Sequence, residues 1–219
     1  MDTLLASGPA NAAHRLILAH GAGAGMTSPF LDGLTQALND HGLGVTRFEF
    51  AYMAARRTGG SKRPPPKAEL LMAEYLTALE DIARASPPGQ KLIIGGKSLG
   101  GRVASLVADD AFGEGRVAGL VCFGYPFHPP NQPQKLRSAH LATMQCPALI
   151  VQGDRDPFGR RAEIEALVLA PVINFHWIGD GDHDFGPRGA SGFTRSGNIA
   201  TAAAAVAAFA AGLNPRCDV

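Results

Sequence analysis

Cysteine is scarce in this 219-residue chain, which has three cysteines and no C-x-x-C pair. They are Cys122, Cys146 and Cys217, and their odd number and wide spacing argue against both a disulfide framework and a zinc site. Thiols that stay reduced are typical of the cytoplasm, which is the location that we expect.

Long apolar runs and an excess of either charge are also missing. The longest nearly apolar run, Ala200 to Leu213, has 14 residues, whereas a helix needs about 20 to span a bilayer. The N-terminal segment has no basic stretch followed by an apolar core, so the sequence predicts no signal peptide. The formal net charge of +1 provides no global attraction to nucleic acid or to a membrane surface. We therefore expect one globular domain over residues 1–219 and no membrane as a partner, and a contact with nucleic acid would need a local basic patch.

Three ligand-binding fingerprints are incomplete. A P-loop would need a glycine where Lys91 stands, and a dinucleotide-binding turn would need one where Met26 stands. The acidic segment 180–186 lacks two residues that a calcium-binding EF-hand loop requires. We therefore expect no nucleotide, nicotinamide or metal cofactor.

Short apolar stretches alternate with segments of helical periodicity along the whole chain. The predicted strands cover residues 15–20, 44–50, 91–95, 117–123, 148–153 and 172–178, and the predicted helices cover 29–41, 67–85, 99–111, 160–169 and 198–212. Strands that are apolar almost throughout are typical of a parallel sheet buried on both faces. The pattern predicts an α/β fold, with a doubly wound, mostly parallel six-stranded sheet and helices on both faces.

A glycine-rich turn follows the third predicted strand. The segment KLIIGGKSLGGRV contains G-x-S-x-G with Ser98 at its centre, between a strand and a helix. This context is typical of a nucleophile elbow, in which a sharp turn presents the serine hydroxyl. The alternative is that Ser98 only caps the following helix.

A nucleophilic serine needs a base, and the base needs an acid to orient it. In this type of fold the acid and then the histidine follow the serine along the chain. His183 lies in the loop after the last predicted strand, whereas His176 lies within that strand and is predicted to be packed. Asp154 and Asp156 follow the preceding strand, and spacing alone does not choose between them.

An oxyanion hole would complete this site. One donor would be the backbone N–H of Leu99, the residue after the serine, and the other the N–H of Ala22, since His20-Gly21-Ala22 resembles an HG-type oxyanion loop. Loops at the carboxyl ends of strands bind ligands in such sheets. The residues that we expect around the substrate are His20, Gly21, Lys97, Tyr125, Phe127 and His128, although the last three have the alternative role of closing their own loop.

The predicted loop 53–67 contains five basic residues and no acidic one; they are Arg56, Arg57, Lys62, Arg63 and Lys67. Three interpretations stay open: a solvated loop, a surface that attracts anionic substrates, or a contact for nucleic acid or an acidic protein. Nucleic acid is the weakest of these, because no aromatic residues are interleaved for base stacking.

Five segments together resemble one known family. LAHGAGAGM, GGKSLGGR, GYPFHPP, PALIVQGDRDPFG and GDHDF are similar to segments of the small predicted hydrolases of the α/β-hydrolase superfamily. The similarity is closest to the group that includes the TEX- and KANSL-type proteins and more distant to dienelactone hydrolases. It extends over about residues 15–210, and it implies a minimal fold without a cap domain and without the two usual N-terminal strands.

The resemblance also implies a function. It makes Ser98 the nucleophile and His183 the base, and the spacing in GDRD favours Asp156 over Asp154 as the acid. The expected activity is that of a cofactor-free serine hydrolase, which cleaves an ester or thioester of a small acyl substrate through an acyl-enzyme. Some relatives are subunits of chromatin-modifying complexes, so a catalytically silent scaffold or partner-binding protein is the alternative.

Overall fold

The computed structural model describes residues 4–57, 59 and 64–213. Predictions concerning Lys62, Arg63 and Cys217 lie outside the described residues. The strands are β1 Leu4–Ser7, β2 His14–Ala19, β3 Gly44–Phe48, β4 Lys91–Lys97, β5 Gly119–Phe123, β6 Ala148–Gly153 and β7 Ile173–Ile178. The α-helices are α1 Pro29–Asp40, α2 Ala51–Arg57, α3 Met72–Ala85, α4 Leu99–Gly113, α5 Arg161–Ile164 and α6 Arg195–Gly212, with 3₁₀ helices at Ala68–Leu71 and Ala139–Thr143.

The strands form one sheet in the order β1-β3-β2-β4-β5-β6-β7. All neighbouring strands are parallel except β1, which pairs antiparallel with β3. The predicted α/β fold is confirmed, and all six predicted strands are present. The described residues form one further strand, β1, so the predicted number of strands was one too low. The expectation that two N-terminal strands are missing was wrong for one of the two, because β1 precedes β2. The four residues of β1 escaped prediction because the strand is short and its two central residues are exposed.

Apolar side chains cover both faces of the sheet. In β2, Leu16 and Leu18 point toward α1 and α6, whereas Ile17 and Ala19 point toward α3 and α4. Successive side chains of a strand alternate between the two faces, so a strand covered on both must be apolar throughout. This is the physical origin of the continuous apolar runs in the sequence.

Helix α1 shows how local signals fix one of these layers. The Ser28 hydroxyl accepts a hydrogen bond from the Leu31 N–H, and Pro29 occupies the first helical position. Both are favoured at helix starts, since the N–H of the first turn lacks a partner inside the helix. The buried leucines of α1 recur at helical spacing and pack on the sheet.

Two helix predictions and one loop prediction need correction. The helix predicted over 160–169 ends at Ile164, because the chain then turns away from the helix axis: the Leu167 N–H donates to the Ile164 carbonyl, and the Ala170 N–H donates to the distant Leu141 carbonyl. The helix predicted over 67–85 is divided into a 3₁₀ turn and α3. The predicted loop 53–67 begins inside α2.

The order of the strands creates a crevice beside β2. The chain passes from β2 to β3 on one side, and β4 returns to lie against the other side of β2. Loops that leave the carboxyl ends of the strands at such a switch point diverge and leave room for a ligand. Gly21 follows β2 and Ser98 follows β4, and a Cβ built on Gly21 would lie 3.7 Å from that of Ser98.

Candidate active site

Ser98 lies on a strained turn between β4 and α4. Its φ is +52°, in a region that residues with a side chain rarely adopt. A Cβ on Gly96 would lie 2.4 Å from the Gly100 backbone, and one on Gly100 would lie 2.6 Å from the His20 carbonyl oxygen. The turn can therefore be this tight only with glycine on either side of the serine, which explains the G-x-S-x-G spacing.

Three predicted residues form a chain of hydrogen bonds. Ser98 Oγ lies 2.9 Å from His183 Nε2, and His183 Nδ1 lies 2.7 Å from Asp156 Oδ2. A carboxylate only accepts hydrogen bonds, so Nδ1 carries the imidazole proton and Nε2 accepts from the serine hydroxyl. Asp156 is fully buried, whereas His183 is about one-fifth exposed. The arrangement can take a proton from Ser98 and stabilise the imidazolium that results.

Asp156 is held by two further donors. Its Oδ1 accepts from the Phe158 N–H at 2.9 Å, and its Oδ2 accepts from Gln152 Nε2 at 3.1 Å. The Gln152 side chain is fully buried and also bonds the Tyr125 backbone. Sequence reasoning missed Gln152, and the available signal was a polar residue near the end of an otherwise apolar strand.

Asp154 occupies a different position from Asp156. Its Oδ2 accepts from the Asp180 N–H at 3.1 Å, at the start of the loop that carries His183. Asp180 has a φ of +51°, and its carboxylate forms ion pairs with Arg155 and Arg188. Asp154 therefore supports the histidine loop, whereas Asp156 contacts the histidine.

The loop after β2 is fixed by His20. The imidazole is fully buried; its Nε2 accepts from the Phe50 N–H at 3.1 Å, and its Nδ1 lies 2.7 Å from the Gly21 carbonyl oxygen. Burial lowers the pKa of His20, which matches a neutral ring that donates from Nδ1. The expectation that His20 lies beside the substrate is corrected: it is buried behind the loop and lines neither cavity beside Ser98.

Two cavities meet at Ser98. The first, of about 430 Å³, is lined by Gly21, Lys97 and His183 among others, and the second, of about 330 Å³, lies on the side of Leu99. Ala22, Ser98 and Phe158 line both cavities. Leu99 is the first residue of α4, so its N–H has no acceptor within the helix. The loops thus bring both predicted oxyanion donors next to Ser98.

Lys97 adds a charge to the wall of the larger cavity. Its Nζ is 3.2 Å from an Asp184 carboxylate oxygen and 5.4 Å from the centroid of the Phe30 ring. Burial lowers the pKa of Lys97, while Asp184 and Asp156 act in the opposite direction. Lys97 thus places one charged, buried side chain in a wall that is otherwise largely apolar.

Three residues expected at the mouth of the site are inside the protein. Tyr125 and Phe127 are fully buried, with ring centroids 4.8 Å apart, and His128 Nε2 lies 3.4 Å from the Glu163 carboxylate. Packing explains the difference, since the apolar rings turn inward to the core, and the Tyr125 hydroxyl donates to the Arg137 carbonyl. The second cavity is lined on this side by Pro126 and Arg137 instead.

The described part of the basic segment does not form one patch. Arg57 pairs with buried Glu49 at 2.9 Å, and Arg56 donates to the Ala22 carbonyl at 3.2 Å. Lys67 lies apart from them, on the wall of the second cavity. Two of the five basic residues thus support the elements around the site.

The described residues contain neither an exposed cysteine nor a group of side chains suited to bind a metal ion. Cys122 and Cys146 are buried, and burial raises the pKa of both thiols, that of Cys146 to about 12. Within residues 4–57, 59 and 64–213, no three His, Cys, Asp or Glu side chains are grouped as metal ligands would be. Nor does any helix of that part of the chain have the length and apolar character needed to cross a membrane.

Residues 12–211 match the family model described as an alpha/beta hydrolase domain. The chain therefore belongs to the α/β-hydrolase family. The finer resemblance to the TEX- and KANSL-type group stays a prediction.

Solved structures share this fold. A dienelactone hydrolase from Anabaena variabilis is 22% identical, with a TM-score of 0.70 over 97% of this chain and 92% of that chain. An alpha-beta serine hydrolase homologue from Coxiella burnetii is 20% identical, with a TM-score of 0.67 over 94% and 89%. A serine hydrolase without a lid from Xanthomonas campestris is 19% identical, with a TM-score of 0.60 over 83% and 80%. At these identities the likeness concerns the fold, and the described residues of this chain include no cap domain.

Proposed function

We propose that this protein is a serine hydrolase that cleaves an ester or thioester bond through an acyl-enzyme intermediate. The observation that carries the proposal is the chain of hydrogen bonds from Ser98 through His183 to Asp156. Ser98, at one end of this chain, lines two cavities. The names of the structural relatives, a dienelactone hydrolase among them, support the same class of reaction.

The first half of the reaction acylates the serine. Nε2 of His183 takes the hydroxyl proton while Ser98 Oγ attacks the carbonyl carbon, and Asp156 stabilises the imidazolium. The carbonyl oxygen becomes negative and accepts hydrogen bonds from the Leu99 and Ala22 amides. One such donor is worth about 10²–10³ in rate. His183 then gives its proton to the leaving oxygen or sulfur as the bond to the acyl carbon breaks.

The second half releases the acyl group. His183 takes a proton from water, the resulting hydroxide attacks the acyl carbon, and the proton returns to Ser98 Oγ as the ester bond to the enzyme breaks. The products are a carboxylic acid and the alcohol or thiol, so no oxidant, reductant or cofactor is consumed.

The test is covalent labelling of the purified protein with a fluorophosphonate, together with turnover of short p-nitrophenyl esters. We expect labelling of the wild type and none of Ser98→Ala. Turnover by that variant should fall on the order of 10⁶-fold, as when the nucleophile of a serine triad is removed. A matched control is Ser105→Ala, since Ser105 is a buried serine of the same helix α4 that lines neither cavity.

The results separate hydrolase from scaffold. A wild type that takes no label and turns over no ester would contradict the proposal and favour a catalytically silent scaffold. Labelling that persists in Ser98→Ala would contradict the choice of nucleophile.

A further inference from the structure

The two cavities beside Ser98 are chemically different. His183 lines the larger one only, whereas Leu99 lines the smaller one only. An ester bound at Ser98 has two halves, and the leaving half must receive a proton from His183. The larger cavity is therefore the place for the leaving group, which assigns the acyl chain to the smaller one.

The smaller cavity has an excess of positive charge. Among the residues that the structure describes, its wall includes Lys67, Arg102 and Arg137 and no acidic residue. Glu69 pairs with Arg102 at 2.6 Å from outside that wall. Within the described part of the chain, three cations therefore face one carboxylate, which leaves two positive charges without a carboxylate partner.

Arg137 is the cation best placed to bind a ligand. Its side chain is half-buried, and within the part of the chain that the structure describes no side chain pairs with its guanidinium. Arg102 also keeps an unused donor, because its Nε has no hydrogen-bond partner among the described residues. Burial lowers the pKa of Arg137, and the neighbouring Arg102 lowers it further. A half-buried cation that faces a second cation is stabilised when an anion binds between them.

We propose that the acyl group of the substrate ends in a carboxylate, which binds Arg137 with Arg102 beside it in the smaller cavity. The substrate class is then the monoesters or monothioesters of short dicarboxylic acids, and this inference rests on the proposed function. A planar carboxylate fits the fork of donors on a guanidinium. A cavity of about 330 Å³ suits a short acyl chain.

The test compares two esters of one alcohol, 4-methylumbelliferyl hemisuccinate and 4-methylumbelliferyl butyrate, each corrected for its uncatalysed hydrolysis. The acyl chains have the same number of carbon atoms, but only the first ends in a carboxylate. We expect a higher kcat/KM for the hemisuccinate. Arg137→Gln should lower the ratio of the two values about tenfold or more, the loss expected for one charge-assisted hydrogen bond.

Two further variants distinguish charge from structure. Arg137→Lys keeps the charge and should retain part of the preference for the hemisuccinate. Lys135→Gln removes an exposed cation of the same loop that lines neither cavity, and it should leave the ratio unchanged.

Each outcome decides the proposal. Equal wild-type values for the two esters would overturn it without reference to any variant. A ratio that stays the same in Arg137→Gln would also overturn it. In both cases, turnover that is lost in Ser98→Ala would still support the proposed function. If neither ester is hydrolysed and no fluorophosphonate label is taken up, both proposals fail together.

Discussion

Asp156 accepts hydrogen bonds from His183, Gln152 and the Phe158 amide inside the protein. We expect Asp156→Asn to lower kcat for short esters about 10⁴-fold, because an amide can donate to Nδ1 and then stabilise the wrong imidazole tautomer. Steady-state kinetics with p-nitrophenyl esters measures the loss, and the thermal unfolding midpoint shows whether the variant stays folded.

Asp154→Asn is the matched control for this prediction. An asparagine oxygen at position 154 can still accept from the Asp180 N–H, so the histidine loop keeps its support and kcat should change little. If Asp154→Asn removed activity while Asp156→Asn kept it, the assignment of the acid would have to be exchanged.

Residue types and chain order were enough to select Ser98 and His183, with Asp154 or Asp156 as the acid, and the family resemblance favoured Asp156. The side chains of Ser98, His183 and Asp156 meet in one hydrogen-bonded chain. The sequence did not indicate the roles of Gln152 and Arg137. The roles of these two residues depend on their burial and on the loops that meet around them in the folded protein. Neither residue belongs to a local sequence motif. The prediction that the aromatic residues of the loop 124–137 lie around the substrate was wrong for a related reason. The sequence does not show whether a ring that follows a strand points outward to solvent or inward to the core.

Tyr75 on helix α3 contacts the backbone of strand β4 just before the serine turn. Its hydroxyl accepts from the Gly95 N–H at 2.8 Å and lies 2.8 Å from the Gly95 carbonyl oxygen. Tyr75→Phe would leave these buried groups without that partner. We expect the free energy of unfolding to fall by about 1–3 kcal/mol, measured by urea denaturation.

Thr77→Ala provides the control on the same helix, because the Thr77 hydroxyl is exposed and bonds only the Ala73 carbonyl. Its cost should stay below about 0.5 kcal/mol. An equal loss for the two variants would show that the buried Tyr75 contact has no special role in holding β4.

The strands were easier to predict than the helices for a physical reason. A strand covered on both faces must be apolar along its length, which sequence shows directly. A helix ends where its backbone finds other partners, and after Ile164 the chain turns away until the Ala170 N–H donates to the distant Leu141 carbonyl. Such tertiary contacts are invisible in the local pattern, and so was the pairing of β1 with β3.

At the scale of the whole molecule, burial lowers the pKa of His14, His20, His140 and His176. In the unfolded chain these imidazoles take up protons near pH 6.5, whereas in the folded protein they stay neutral to lower pH. The unfolded state therefore binds more protons as the pH falls, and the free energy of unfolding must decrease below about pH 6.5. For the fully buried His20, each unit by which burial lowers the pKa contributes about 1.4 kcal/mol to that decrease, and solvent screening makes the contribution of the more exposed His14 and His176 smaller.

Urea denaturation at pH 7.5 and at pH 5.5 measures this loss. The buried His20 should account for a large share of it, so His20→Gln should be less stable at pH 7.5 but lose less stability between the two pH values than the wild type. His41→Gln, which replaces an exposed histidine at the end of α1, should lose as much as the wild type. A wild type whose unfolding free energy is the same at both pH values would contradict the argument. The argument would also be contradicted if His20→Gln lost as much unfolding free energy between the two pH values as the wild type does. In that case the neutral His20 that holds the Gly21–Ala22 loop would make no pH-dependent contribution to the stability of the fold.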